Sequence, residues 1–211
     1  MSTIKTNQLA HTANGAATYT LPQTDGSAGQ VLKTDGAGNL SWVTPGTSMI
    51  DTYNLSSSVN MTGAQWNYLK TNFSRVNGGY GTMNVTGLGT GLSVSNSGSA
   101  STFSFPSTGY YEITFTATTA ATTSTSHDYV YTAIHIAKDG STFDNTVQSI
   151  SFIYSSSNTV YETQTAQVII DVTNTSNDKF YLAVMPENTS QLLGSSDKFY
   201  TYLQVKKLAE T

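Results

Sequence analysis

Three histidines (His11, His127 and His135) and no cysteine are all that this chain offers in imidazole or thiol chemistry. His127-Asp128 supplies half of a triad or of a metal site, but neighbours on a strand point to opposite faces. The pair therefore reads as a loop edge rather than a catalytic couple. Asp139, Asp144 and Asp178 carry the oxygen donors that calcium takes. They also sit at turn signals, where Asp is favoured for its own sake, and that is the preferred reading. No glycine loop ends in Lys-Ser or Lys-Thr to cradle phosphate. No carboxylate pair frames a cleft as glycoside hydrolysis requires. Asn54, Asn60, Asn72 and Asn84 match glycosylation sequons, which a Ser/Thr-rich chain generates by chance. These residues assemble no catalytic set, metal site or cofactor site, so the expected activity is binding.

The 13 tyrosines carry a stronger signal. On residues 128–137, Tyr129, Tyr131 and His135 alternate with Val130, Ile134 and Ile136. On 179–185, Tyr181, Ala183 and Met185 alternate with Phe180, Leu182 and Val184. On 199–207, Tyr200 and Tyr202 oppose Phe199, Leu203 and Val205. Each stretch is apolar or aromatic on both faces. A lone chain would leave one set in water as a large patch, which soluble proteins seldom tolerate. Tyrosine buries area while keeping a polar tip, which suits interfaces. Tyr129, Tyr131, His135, Tyr181, Tyr200 and Tyr202 are therefore expected to line a three-fold interface between copies of the chain.

The elements that position these residues fall into four parts. Residues 1–19 are polar and without helical period; they read as an extended anchoring peptide. Residues 20–46 hold a repeat: Thr24-Asp25-Gly26, Gly29 and Val31-Leu32, then Thr34-Asp35-Gly36, Gly38, Leu40 and Trp42. Asp25-Gly26 and Asp35-Gly36 supply the positive φ of tight hairpin turns. Strands this short bury little by themselves, so stacking with other chains makes a stalk. Residues 47–90 form a neck with one short helix, opened by a Thr62/Gln65 capping box, with Trp66, Leu69 and Phe73 on one face; Gly78-Gly79, Gly81, Gly87, Gly89 and Gly91 follow. Residues 91–211 are the head, with strands at 101–105, 110–118, 128–137, 147–155, 160–172, 179–185 and 199–207. Their spacing and alternation fit a two-sheet sandwich.

Composition agrees with a fibre. Of 211 residues only 10% are charged, and Ser and Thr make up roughly three in ten, well above globular usage. The chain is 37% hydrophobic with a net charge of −4, which argues against disorder. Nine Lys and Arg in all make nucleic acid an unsuitable partner. Residues 1–20 lack a secretory pattern and no apolar run can cross a bilayer. A protein built for the outside but without an export signal fits release by lysis, as part of a virus particle.

Two resemblances sharpen this. Phe105-Pro106-Ser107-Thr108-Gly109-Tyr110-Tyr111, Ala137-Lys138-Asp139-Gly140 and Asn177-Asp178-Lys179-Phe180 resemble motifs of the complement-type and tumour-necrosis-factor-like jelly rolls. That resemblance implies trimeric heads with aromatic side chains at the axis. Asn177 stands where that pattern has Gly, and its closing Phe-x-Gly is missing. The stretch Leu21-Pro22 to Leu40-Ser41-Trp42, and Met61 to Leu69 with Gln65-Trp66-Asn67, resemble fibre proteins of marine and cyanobacterial phages. The expectation is a mainly β, elongated homotrimer with anchor peptide, β-repeat stalk, one short helix and a jelly-roll head. It would be a virion fibre or spike, bound through residues 1–19 to another virion protein. It would attach to a host cell-surface glycan or protein or decorate the capsid. A bacterial adhesin or carbohydrate-binding module is the alternative.

Overall fold

The computed structural model describes residues 6–10, 18–70, 72–76, 78–80, 83–85, 87–121, 127–154 and 159–211. The chain divides into two compact units, Met1–Gly46 and Thr47–Thr211.

In the first unit, β1 (Gln8–Ala10) pairs antiparallel with β2 (Thr18–Thr20), and β3 (Val31–Thr34) with β4 (Leu40–Val43). The turn at Asp35-Gly36 forms as expected. Asp35 Oδ1 accepts the amides of Ala37 and Asn39 at 2.8 and 2.9 Å, and Gly36 takes φ +77°. The Asp25-Gly26 reading is corrected, because Gly26 is not among the positive-φ glycines. What demands glycine there is Trp42: a Cβ on Gly26 would lie 2.6 Å from its indole ring. Trp42 Nε1 donates to the Thr24 carbonyl at 2.9 Å. The two repeats are thus unequal, the second closing over the first. Where residues 1–19 are described, the chain forms short extended strands. β1 and β2 form a ladder, and Leu21 N donates to Asn7 O at 2.9 Å. Residues 1–5 and 11–17 of that segment lie outside the described residues. Leu9, Tyr19, Val31, Leu32 and Trp42 all remain exposed.

The second unit contains β5 (Met49–Leu55), β6 (Val59–Met61), β7 (Asn67–Tyr68), β8 (Phe73–Arg75), β9 (Gly78–Tyr80), β10 (Met83–Val85), β11 (Ser93–Ser95) and β12 (Thr102–Ser104). The long strands follow: β13 (Gly109–Ala121), β14 (His127–Ala137), β15 (Asn145–Ile153), β16 (Val160–Val172), β17 (Lys179–Pro186), β18 (Ser190–Leu192) and β19 (Tyr202–Ala209). The first sheet has the order β11-β12-β17-β14-β15, with β7 also on β17. The second has the order β6-β18-β13-β19-β5-β8, with β16 also on β13. Among the described residues, β9 and β10 pair only with each other. Alternate residues of both sheets meet in one core, including Tyr111, Ile113, Phe115, Phe103, Phe180, Ile134, Leu182 and Leu203.

No described residue is helical, so the helix at Thr62–Phe73 is a correction. Asn67 captures the backbone that a helix would need: its side chain accepts from Thr62 N and donates to the carbonyls of Thr62 and Gln65, all at 2.9 Å. The edge of β17 then competes for the rest, pairing Asn67 and Tyr68 with Val184 and Ala183. A helix this short is marginal alone and loses to a sheet edge. Its three stripe residues part company. Leu69 is buried in the core, Phe73 packs at the core's margin beside Tyr53, and Trp66 goes to the opposite side of the first sheet, onto His135. Residues 47–90, expected as a neck, instead supply strands to both sheets.

The jelly-roll motif residues hold the corners. Tyr111 is fully buried, with its hydroxyl donating to Ser107 O at 3.0 Å. The buried carboxylate of Asp178 accepts Lys138 Nζ at 2.8 Å and the amides of Thr173 and Asn174 at 2.7 and 3.1 Å. One carboxylate therefore ties together the two turns that carry the resemblance.

Candidate functional site

The outer face of the first sheet is a continuous run of rings. Tyr129 packs on Tyr131 (5.2 Å between centroids), Tyr131 meets Trp66 (6.3 Å), and Trp66 stands edge-on to His135 (5.0 Å). His135 stacks on Tyr181 at 4.7 Å, and Tyr181 also touches Phe143 and Tyr68 at 4.5 and 5.3 Å. His135 is only 7% exposed; its Nδ1 bonds Thr146 Oγ1 at 2.9 Å and its Nε2 is buried without a partner. Burial holds the imidazole pKa below its usual value. Burial, and then Tyr68, push the Tyr181 phenol up. Trp66, Tyr68 and Phe143 come from outside β14 and the rest of β17, so the chain itself roofs this face.

Among the described residues of the second unit, none forms such a roof over the outer face of the second sheet. Its middle is a ladder of threonines: Thr116 with Thr165 at 2.9 Å, and Thr118 with Thr163 at 2.8 Å. Thr118 Oγ1 also donates to Tyr200 O at 2.8 Å. Around the ladder lies an open depression of about 810 Å³, lined by Tyr161, Leu193, Phe199, Tyr200 and Tyr202 among others. Tyr161 is 60% exposed. Phe199, expected to face inward with Leu203, instead packs against Tyr202 at 5.7 Å on this outer side, because β19 begins only at Tyr202. Beside this sheet's β16, the edge strand β15 of the first sheet leaves Phe152 70% exposed, with Tyr154 just beyond it at 79%.

The six residues expected at one interface therefore fall into two groups. Tyr129, Tyr131, His135 and Tyr181 lie on the first sheet's outer face, Tyr200 and Tyr202 at the second's. Tyr161, Phe152 and Tyr154 were missed. The alternation of Phe152 and Tyr154 with Ser149 and Ser151 is visible in the sequence, but period alone does not say which set faces the core. Here the serines face inward.

The other candidates resolve simply. Asp139 Oδ1 accepts the amides of Ser141 and Thr142 at 2.9 and 2.7 Å, and bonds from Thr142 and Ser141 bring its pKa down to about 2. Asp178 is held by Lys138, and Asp144 is exposed. Among the described residues no three His, Cys, Asp or Glu cluster to hold a metal. The side chains of His127 and Asp128, like His11, lie outside the described residues. So do residues 122–126 and 155–158, whereas β18 pairs into the second sheet. Among the described residues no helix is long and apolar enough to cross a membrane.

No protein-family model and no curated protein sequence matches this chain. Solved structures do. The Eiger TNF of S. frugiperda aligns with a TM-score of 0.50 at 13% identity, covering 79% of this chain and 96% of its own. Murine APRIL at pH 5.0 aligns with a TM-score of 0.50 at 11% identity, covering 78% and 100%. The fold is a tumour-necrosis-factor-like jelly roll. Within that jelly roll, Tyr111 and the Asp178–Lys138 clamp are the corners, and the two aromatic faces are the outer surfaces of its sheets.

Proposed function

We propose that this chain is the subunit of a homotrimeric phage fibre or spike, a virion structural protein that binds a host-surface glycan or protein or decorates the capsid. The observation that carries the reading is the unroofed depression around Tyr161, Tyr200 and Tyr202, next to an edge that exposes Phe152 and Tyr154. Three-fold interfaces are heterologous, so each copy needs two different patches that fit each other. The edge of one protomer would seat Phe152 and Tyr154 in the depression of the next. The jelly-roll resemblance, with its aromatic trimer axis, supports that arrangement. The exposed Leu9, Tyr19, Val31, Leu32 and Trp42 of the first unit are what a stalk would bury against its copies.

The phage assignment rests on the sequence module from Leu21 to Trp42, and the attachment role on the multiplicity of heads, since three heads raise avidity without strong single contacts. Residues 1–19 would hold the fibre to another virion protein; the protein acts by binding, with no catalytic step, nucleic acid or membrane insertion. Deleting residues 2–19 is expected to leave soluble trimers that no longer enter particles, and normal incorporation would overturn that anchor. Labelled antibody on intact particles would show where the protein sits, and its absence from particles would refute the virion reading. The depression also favours a second reading. Left open, its rings and hydroxyls suit a neutral sugar, which would make the protein a carbohydrate-binding module.

A further inference from the structure

The interior of the jelly roll is apolar at one end and mixed at the other. Near Gly109, Ala137 and Val172 the inward side chains are Tyr111, Ile113, Phe103, Phe105, Phe180 and Ile136, all buried and apolar. At the opposite end, β13 runs out to Ala121 and β14 starts at His127, while β15 ends at Ile153 and β16 starts at Val160. Four strand ends therefore adjoin. Their inward residues include the apolar Ala121, Val130, Ile153 and Val160 and, among them, four polar side chains: Thr119 on β13, Thr132 on β14, Ser151 on β15 and Gln164 on β16. Register fixes their places. Gln164 lies opposite Ala117, and Thr119 opposite Glu162. Thr132 lies opposite Ser149, and Ser151 opposite Val130. Thr119 and Thr132 are wholly buried and Gln164 nearly so. The hydroxyls of Thr119, Thr132 and Ser151, and both ends of the Gln164 amide, have no protein partner.

Buried polar groups in native proteins are paired, with protein or with ordered water. These four side chains set the chemistry of the occupant. Gln164 needs an acceptor at Nε2 and a donor at Oε1, and each hydroxyl can do both. A cation would call for carboxylates and an anion for basic groups; the four are neutral, and Glu162, on the same face of β16, is part-exposed rather than buried with them. An apolar guest would satisfy none of them. We infer that this end of the sandwich is an internal hydration site, where ordered water held by Gln164, Thr119, Thr132 and Ser151 fills the space between the sheets. The site concerns one protomer's interior and stands apart from the assembly reading. It makes the end where β13 finishes at Ala121 and β15 at Ile153 the softer end, because water-bridged packing opens more readily than close-packed apolar side chains.

The test is water relaxation dispersion on the full-length protein, which counts water molecules held for longer than nanoseconds. Gln164→Leu combined with Thr132→Val should lose a substantial part of the slow-water signal while circular dichroism keeps its β signature. An unchanged signal in a folded double variant would overturn the inference. If the double variant does not fold, a structure of the wild-type protein that resolves ordered water decides. Water within hydrogen-bond reach of Gln164 upholds the site, and direct bonds among the four side chains with no water between them refute it.

Discussion

The two outer faces of the jelly roll both carry aromatic rings and differ in what covers them. On the first sheet, Tyr131, His135 and Tyr181 lie beneath Trp66, Tyr68 and Phe143 of the same chain. On the second sheet, Tyr161, Tyr200 and Tyr202 ring a depression that none of the described residues of the second unit fills. Aromatic residues on the outward side of a strand thus have two meanings. They can be the underside of a local cap or the landing surface for another molecule, and only the long-range contacts distinguish these.

The largest expected effect separates the faces. Tyr200→Ser with Tyr202→Ser should turn a trimer into monomers, since central interface tyrosines are worth about 2 kcal/mol or more each. Near-unchanged far-ultraviolet circular dichroism would show that the fold survives. Tyr131→Ser should leave the mass in solution untouched; dissociation by that variant would move the interface to the roofed face. Next comes Trp66→Ala, expected to cost about 3 kcal/mol in denaturant unfolding because it uncovers His135 and Tyr131, again without changing assembly.

His135 gives a smaller effect with a definite sign. Its imidazole is neutral by burial in the folded chain, so its pKa is lower than in the unfolded chain. The unfolded chain binds the proton more readily, so stability is complete above the ordinary imidazole pKa of about 6.5 and falls as the pH drops through and below it. His135→Gln should flatten that dependence in denaturation midpoints measured from neutral to mildly acidic pH. The smallest effect is on the bare face. Thr163→Val removes the 2.8 Å bond to Thr118 and should cost about 1 kcal/mol, measured in the same titration.

Most strands of the head were legible because strong alternation meets clear turn chemistry; 160–172 is a strand from its first residue to its last. The helix was misread because Trp66, Leu69 and Phe73 keep helical spacing while Asn67 and the β17 edge, distant in sequence, take the backbone. Gly26 was misread for a related reason. An Asp-Gly pair signals a turn from within, yet this glycine answers to an indole far along the chain. The site was half legible. Tyr200 and Tyr202 were picked out by two-sided patterning, but the same patterning picked out Tyr131 and Tyr181, whose cover comes from distant segments. The strand bearing Phe152 alternates cleanly, and nothing local says that its serines turn inward.

The central claim is assembly through the bare face, and mass in solution tests it most directly. Sedimentation equilibrium of the full-length protein at micromolar concentration should return three times the 22.5 kDa chain mass. The Tyr200→Ser, Tyr202→Ser variant should return a single chain. A wild-type protein that sediments as a monomer would contradict the account.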